Sequence, residues 1–258
     1  MEICYPLAHS AGNPRNSEGA FVSLADGSLF FAYSRYSGKH WNDHAFADIC
    51  AIVSKDQGNS WSEPFVLVKN PALNVMSVSF LRLQDALVYL QKSSVPGTEF
   101  IDCRPKICFS SDEAQSWSEP IETATCPFLY LVMHNDRLIQ LANGRLLMPL
   151  SYHRYGNTSN ALLQGIGLFL LSDDSGISWR QSEGCCYPPQ YLTAGLMEPG
   201  IIELSDGKIL CWYRTAGGCQ YKAWSHDGGE HWTAPIPASE FPSPSSPLSM
   251  KRDPRSGD

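Results

Sequence analysis

Acidic and basic residues recur at fixed places along this sequence. Counted from four short turns, Asp26-Gly27, Asp85-Ala86, Asn143-Gly144 and Asp206-Gly207, the residues eight positions earlier are Glu18, Ser77, Asn135 and Glu198. Some seven to eleven positions later stand Arg35, Lys92, the triplet Tyr152-His153-Arg154 and Arg214. A carboxylate can give or take a proton, and a planar guanidinium can grip an oxyanion through two parallel N–H donors. Glu198 and Arg214 in one repeat, with Arg35 in another, therefore describe a site for an anion with acid–base groups beside it. The formal net charge is −7, so such a site is a local island of positive charge. That balance argues against a nucleic-acid surface.

The elements that must position these residues are legible from the same repeat. Asp-Gly and Asn-Gly turns between apolar runs are the strongest short-range hairpin signal, weakened in the second copy by Ala86. A second pattern travels with them. Ser54 to Trp61 reads SKDQGNSW, Ser110 to Trp117 SSDEAQSW, Ser172 to Trp179 SDDSGISW and Ser225 to Trp232 SHDGGEHW. Each of these Asp boxes follows an apolar alternating run (Ile49–Val53, Lys106–Phe109, Ile166–Leu170, Tyr221–Trp224) of the kind that forms a strand. Within the box the Asp caps backbone N–H groups, Gly accepts positive φ, and the Trp packs back over the hairpin. The box Asp is thus structural.

Each unit reads strand, turn, strand, loop, strand, box, strand, and the box Asp residues lie 56, 62 and 53 positions apart. Four antiparallel strands at this pitch make one blade of a β-propeller. The expectation is an all-β chain of four to five blades forming a single domain over residues 1–258. Residues 245–252 read as the start of a further first strand, and the sequence ends where its turn is due, which suggests truncation.

Nine cysteines without a paired framework suggest free thiols in a reducing compartment. The first residues lack a basic region and an apolar stretch of signal length, and no run is long enough to span a membrane, so the expected location is cytoplasmic. CxxC pairs and Gly-rich phosphate loops are absent, so no metal and no cofactor are expected.

The four boxes, together with Arg15-Asn16-Ser17-Glu18-Gly19, Tyr33-Ser34-Arg35, Asp43-His44-Ala45 and Met197-Glu198-Pro199-Gly200 with Arg214, resemble the sialidase (neuraminidase) superfamily, nearest its bacterial BNR-repeat members. The resemblance covers essentially the whole chain and implies a six-bladed β-propeller that releases terminal α-linked sialic acids with retention. By it, Arg15 and Arg214 would belong to an arginine triad gripping the sugar carboxylate, with Arg35 as a further arginine near the acid/base loop. Asp43 would be the general acid/base, provided burial raises its pKa. Glu198 would take the proton of a tyrosine nucleophile, the exception among retaining glycosidases.

Each residue also has a structural reading: Arg15 in a solvated loop, Asp43 shaping its polar loop, Glu198 and Arg214 at ordinary strand ends. The third arginine and the tyrosine would lie in blades beyond Asp258, since Tyr152, Tyr191 and Tyr213 stand in the wrong blades. The chain as given is therefore expected to be inactive alone. The expected partner is a sialylated glycan or other acidic sugar, with no nucleic acid and no membrane. Two other functions stay open: a non-catalytic sugar-binding propeller, and a glycosidase for a different acidic sugar.

Overall fold

A computed structural model of the protein describes residues 7–82, 86–124, 130–155 and 161–252. These residues form strands and connecting loops, with no helix among them. The chain divides into two compact units, Met1–Phe128 and Leu129–Asp258.

The first unit holds two four-stranded antiparallel sheets. One is β1 (Asn16–Ser23), β2 (Leu29–Tyr36), β3 (Ala47–Ser54) and β4 (Phe65–Val68). The other is β5 (Asn74–Leu81), β6 (Ala86–Ser94), β7 (Ile101–Phe109) and β8 (Ile121–Glu122). In each, the strands lie side by side in chain order, because every connection is a hairpin. The turns at Asp26-Gly27 and Asn143-Gly144 put their glycines at φ 84° and 92°. Asp85, in the second turn, lies outside the described residues.

The second unit repeats the plan. Its first sheet has an inner edge split into β9 (Leu131–Val132) and β10 (Ile139–Gln140), both pairing β11 (Leu146–Tyr155), followed by β12 (Ala161–Ser172) and β13 (Arg180–Gln181). Its second sheet is β14 (Met197–Glu203), β15 (Ile209–Arg214), β16 (Cys219–Ser225) and β17 (Ile236–Pro242).

Alternation along the strands turns one apolar face of each sheet toward its neighbour. In the first unit Phe30, Ala32, Ile49 and Ala51 pack on Val75, Val78, Phe80 and Tyr89. The rings of Phe30 and Phe80 meet edge to face at 5.7 Å. In the second, Leu147, Phe169 and Leu171 pack with Leu196, Ile201, Ile209 and Tyr213. Cross-sheet polar ties run along the turns: Glu113 accepts from the Ala25 N–H at 2.6 Å, and Glu203 from the Ala142 N–H at 2.7 Å.

The eight-residue loops take the form their sequence dictates. Gly58 N–H donates to Ser54 Oγ at 2.8 Å, Ser60 N–H and Oγ donate to Asp56 at 2.8 and 2.6 Å, and the Trp61 indole donates to Gly58 O at 3.1 Å. The third loop repeats these contacts. In the fourth, His231 Nδ1 lies 2.8 Å from Asp227 and stands in for the serine hydroxyl. The loop tryptophans pin the sheets, and Trp232 stacks on Phe169 at 3.9 Å.

Residues 245–252 contain no strand, contrary to the expectation of another first strand. Leu248 O accepts instead from the Trp212 indole at 2.8 Å and from Arg137 at 2.7 Å. Its backbone is thereby tied to side chains where a ladder would need a neighbouring strand.

One loop departs from its siblings. Ala114 occupies the position held elsewhere by glycine and is forced to φ 63°, and the Trp117 indole N–H finds no acceptor among the described residues. A side chain in this left-handed region costs about 1–2 kcal/mol, which glycine would avoid at some entropic cost in the unfolded chain. Ala114→Gly is therefore expected to raise Tm by about 1–3 °C in a calorimetric scan, and an unchanged or lowered Tm would refute the strain.

Candidate functional site

The first strands of three of the four sheets break register at the same repeat position. The pairing slips between Ser17 and Ala20, between Met76 and Ser79, and between Met197 and Gly200. The residues at these bulges are Glu18, Ser77 and Glu198, at φ 56°, 60° and 44°. In the third sheet Asp136, at φ 59°, falls in the gap between β9 and β10. Non-glycine residues there cost about 1–3 kcal/mol each, and such strain concentrates at functional sites. A bulge re-aims the side chain it carries. The neighbouring glycines are forced by contact: a Cβ on Gly19 would lie 2.4 Å from the Phe31 ring, and one on Gly200 2.3 Å from the Trp212 ring.

In the first unit the bulge assembles a cluster around Arg15. Its Nη1 donates to Asp43 Oδ1 at 2.6 Å and to Trp41 O at 3.1 Å, its Nη2 to Glu18 Oε1 at 3.0 Å and its Nε to Ser17 Oγ at 2.8 Å. The guanidinium lies 4.6 Å above the Tyr36 ring. Ser77 Oγ donates to the other oxygen of Glu18 at 2.5 Å. The loop carrying Asp43 is held from the neighbouring sheet, with Lys92 Nζ donating to Asp43 O at 2.5 Å and Asn74 Nδ2 to Ala45 O at 2.6 Å. Lys92 is buried, 3% exposed. Asp43 keeps a side chain 60% exposed.

The ionisation of this cluster corrects one expectation. Burial does push the Asp43 carboxyl up, but the hydrogen bond from Arg15 and the charges of Lys92, Arg15 and His44 outweigh it and leave the carboxyl below its usual range. Burial dominates at Glu18 and raises its carboxyl, despite Ser77 and Arg15 pulling the other way. Burial also lowers His44 and pushes the Tyr36 phenol up to about 12.

Arg35 is not in this cluster. It stands on β2 between Ser34 and Tyr36, in register with Asn16 and Asp48, so alternation turns it to the face opposite Tyr36. There it lines a cavity of about 410 Å³ with Leu7, Asn13, Asn16, Tyr33 and Glu63.

In the second unit Glu198 and Arg214 meet as the sequence suggests. Arg214 Nη1 donates to both carboxylate oxygens at 2.9 and 3.0 Å, and Nε reaches Ser245 Oγ at 3.5 Å. Nη2 has no acceptor among the described residues and is available to an oxyanion. His134 is half-buried nearby, and that desolvation lowers its pKa even though Glu198 acts to raise it. Tyr213 is fully buried, its hydroxyl wedged where a Cβ on Gly167 would touch it at 2.6 Å.

Glu18, Ser77, Tyr36, Asn74 and Lys92 join the cluster without having been singled out as site residues. The repeat arithmetic does flag Glu18, Ser77 and Lys92 as residues at equivalent strand ends. Tyr36 and Asn74 carry no such signal.

Residues 74–255 match the family model described as a BNR repeat-like domain. The chain belongs to that family. Among curated proteins it is similar to the anhydrosialidase of Macrobdella decora, 31% identical over 50% of this chain and 16% of the relative. It is also similar to the sialidase of Paraclostridium sordellii, 23% identical over 81% of this chain and 55% of the relative. The chain thus spans about half, or less, of the length of these curated relatives. A solved intramolecular trans-sialidase from Ruminococcus gnavus superposes with a TM-score of 0.70 over 93% of this chain and 74% of its own, at 14% identity. The protein is a sialidase-like BNR-repeat protein.

Two measurements test the geometry. Gly200→Ala should displace Trp212 and cost about 1–3 kcal/mol in denaturant unfolding, as overpacking does; a variant of wild-type stability would show the contact is not tight. The raised Glu18 carboxyl favours the protonated, folded form. Its contribution is most favourable below the unfolded pKa and is lost as pH rises through the folded pKa. Glu18→Gln should therefore raise Tm at pH 7 relative to wild type, with a smaller gain at pH 4. A lower Tm at pH 7 would mean that the pairing with Arg15 and Ser77 outweighs burial.

Proposed function

We propose that this protein is an exo-α-sialidase or part of one: a retaining glycoside hydrolase, built on a six-bladed β-propeller, that acts on terminal sialic acids of glycans. The observation that carries the reading is the pairing of a guanidinium with a carboxylate in each unit, Arg15 with Asp43 and Arg214 with Glu198, in a sialidase-like chain. A sialoside bears a carboxylate on its anomeric carbon. Arginine forks hold such a group bidentately and orient the sugar.

In this reading Arg15 and Arg214 each act as a carboxylate-binding arginine, and Asp43 protonates the leaving glycosidic oxygen and later deprotonates the incoming nucleophile. Glu198 takes the proton of a phenolic nucleophile, which avoids bringing another anion to a centre that already carries one. Arg35, across the sheet from Arg15, contributes to the surroundings of the site and not to the grip itself.

A second reading shares every step but the last. The name of the Macrobdella relative, an anhydrosialidase, supports intramolecular transfer, in which a hydroxyl of the sugar replaces water as the acceptor.

The test is turnover of a fluorogenic α-sialoside by the natural gene product. Asp43→Ala and Glu198→Ala are each expected to lower kcat by about 100-fold or more, and Arg15→Met and Arg214→Met to lower kcat/KM by a similar factor. Mass spectrometry separates free sialic acid from an anhydro product and so decides between the two readings. Tight sugar binding with no turnover would replace both with a non-catalytic lectin-like function.

A further inference from the structure

All three nitrogens of the Arg15 guanidinium have acceptors within the chain. A ligand carboxylate that reaches Arg15 must therefore take a donor from one of them. Glu18 is held from its far side by Ser77 at 2.5 Å, and Trp41 O belongs to the backbone. The Asp43 carboxylate is the exposed acceptor, joined to Nη1 by one hydrogen bond of 2.6 Å. Its backbone is anchored independently, through Lys92 to Asp43 O and Asn74 to Ala45 O. Releasing the side chain then needs rotation about its own bonds, with the loop left in place.

We infer that Arg15 and Asp43 form a lock that an incoming carboxylate opens, so that Asp43 becomes a competent acid only when an acidic sugar occupies the site. The ligand's identity rests on the function proposed above, whereas the lock rests on the contacts alone. The exchange breaks no covalent bond: one carboxylate replaces another on Nη1.

The charged and titratable groups facing Asp43 are Arg15 and Glu18 from the first sheet, His44 from its own loop and Lys92 from the neighbouring sheet, with Tyr36 beneath Arg15. Opening the lock removes the Arg15 hydrogen bond and sets a second anion nearby. Both changes favour the protonated carboxyl, as burial already does, and Lys92 is the main group still opposing them. A neutral sugar of the same shape leaves Asp43 ionised and unable to donate. Selection for acidic sugars is thereby built into proton delivery as well as into binding.

The test is a ¹³C carboxyl NMR titration of Asp43 in the full chain, its resonance assigned with Asp43→Asn. N-acetylneuraminic acid should move the Asp43 midpoint upward, and its methyl ester, lacking the charge, should not. Without any sugar, Arg15→Met should already show the raised midpoint. Binding of the acid, measured by isothermal titration calorimetry, with an unmoved Asp43 midpoint overturns the lock and leaves the proposed function standing. An Arg15→Met midpoint equal to wild type overturns it without reference to any ligand. If Arg15→Met does not fold, the comparison of acid with ester decides alone. Failure of the acid to bind at all defeats the functional proposal, and with it the role given to the lock.

Discussion

The left-handed bulge in the first strand of three sheets, at Glu18, Ser77 and Glu198, is the constraint on which the rest of the candidate site depends. A regular strand would point residues 18, 77 and 198 alternately into and out of the packed faces between sheets. The extra residue breaks that alternation and turns the side chain to the strand's end. The strain at Glu18, Ser77 and Glu198 is offset by the contacts on either side: hairpin pairing resumes at Ala20, Ser79 and Gly200, and the glycines after Glu18 and Glu198 let a Phe or Trp ring press directly on the backbone. A side chain at Gly19 or Gly200 would push the bulge away from its ring. Each bulge is thus held by apolar packing while presenting a polar group.

The eight-residue loops do complementary work at the other end of the hairpins. Their aspartates spend their acceptor capacity on the loop itself, on backbone N–H groups and on serine or histidine side chains, and so hold the turn closed. Trp232 extends the apolar contact between neighbouring sheets by stacking on Phe169, whereas Trp61 packs on its own sheet, against Phe31 and Tyr33.

Around Arg15 the electrostatics show how environment divides labour between two carboxylates. Glu18 lies deeper and is pushed toward protonation by lost hydration, while Asp43, further out, is pulled toward ionisation by the guanidinium it touches. Separation of neighbouring carboxyl groups in this way is a recurring means of setting acid and base roles. The sequence could not reveal that ordering, because it depends on which oxygen meets which nitrogen. Lys92 has a similar lesson. Its repeat position marks it as a strand-end base, but only the packing of the second sheet against the first shows that it holds the backbone of the Asp43 loop.

The sequence by itself determined the local structure: four antiparallel hairpin sheets, their turns, the self-satisfying loops and the equivalence of Glu18, Ser77 and Glu198. These follow from period-two alternation and from turn chemistry, which act over a few residues. It also brought Glu198 and Arg214 together, since both sit on adjacent strands of one hairpin at a fixed count from its turn. The tertiary structure decided what the count could not: that Arg35 faces away from Arg15, that residues 245–252 bond to Trp212 and Arg137 without forming a strand, and that Asp43 is held ionised. Facing depends on where a bulge resets alternation, and ionisation on contacts between residues far apart in the chain, so neither is written in local spacing.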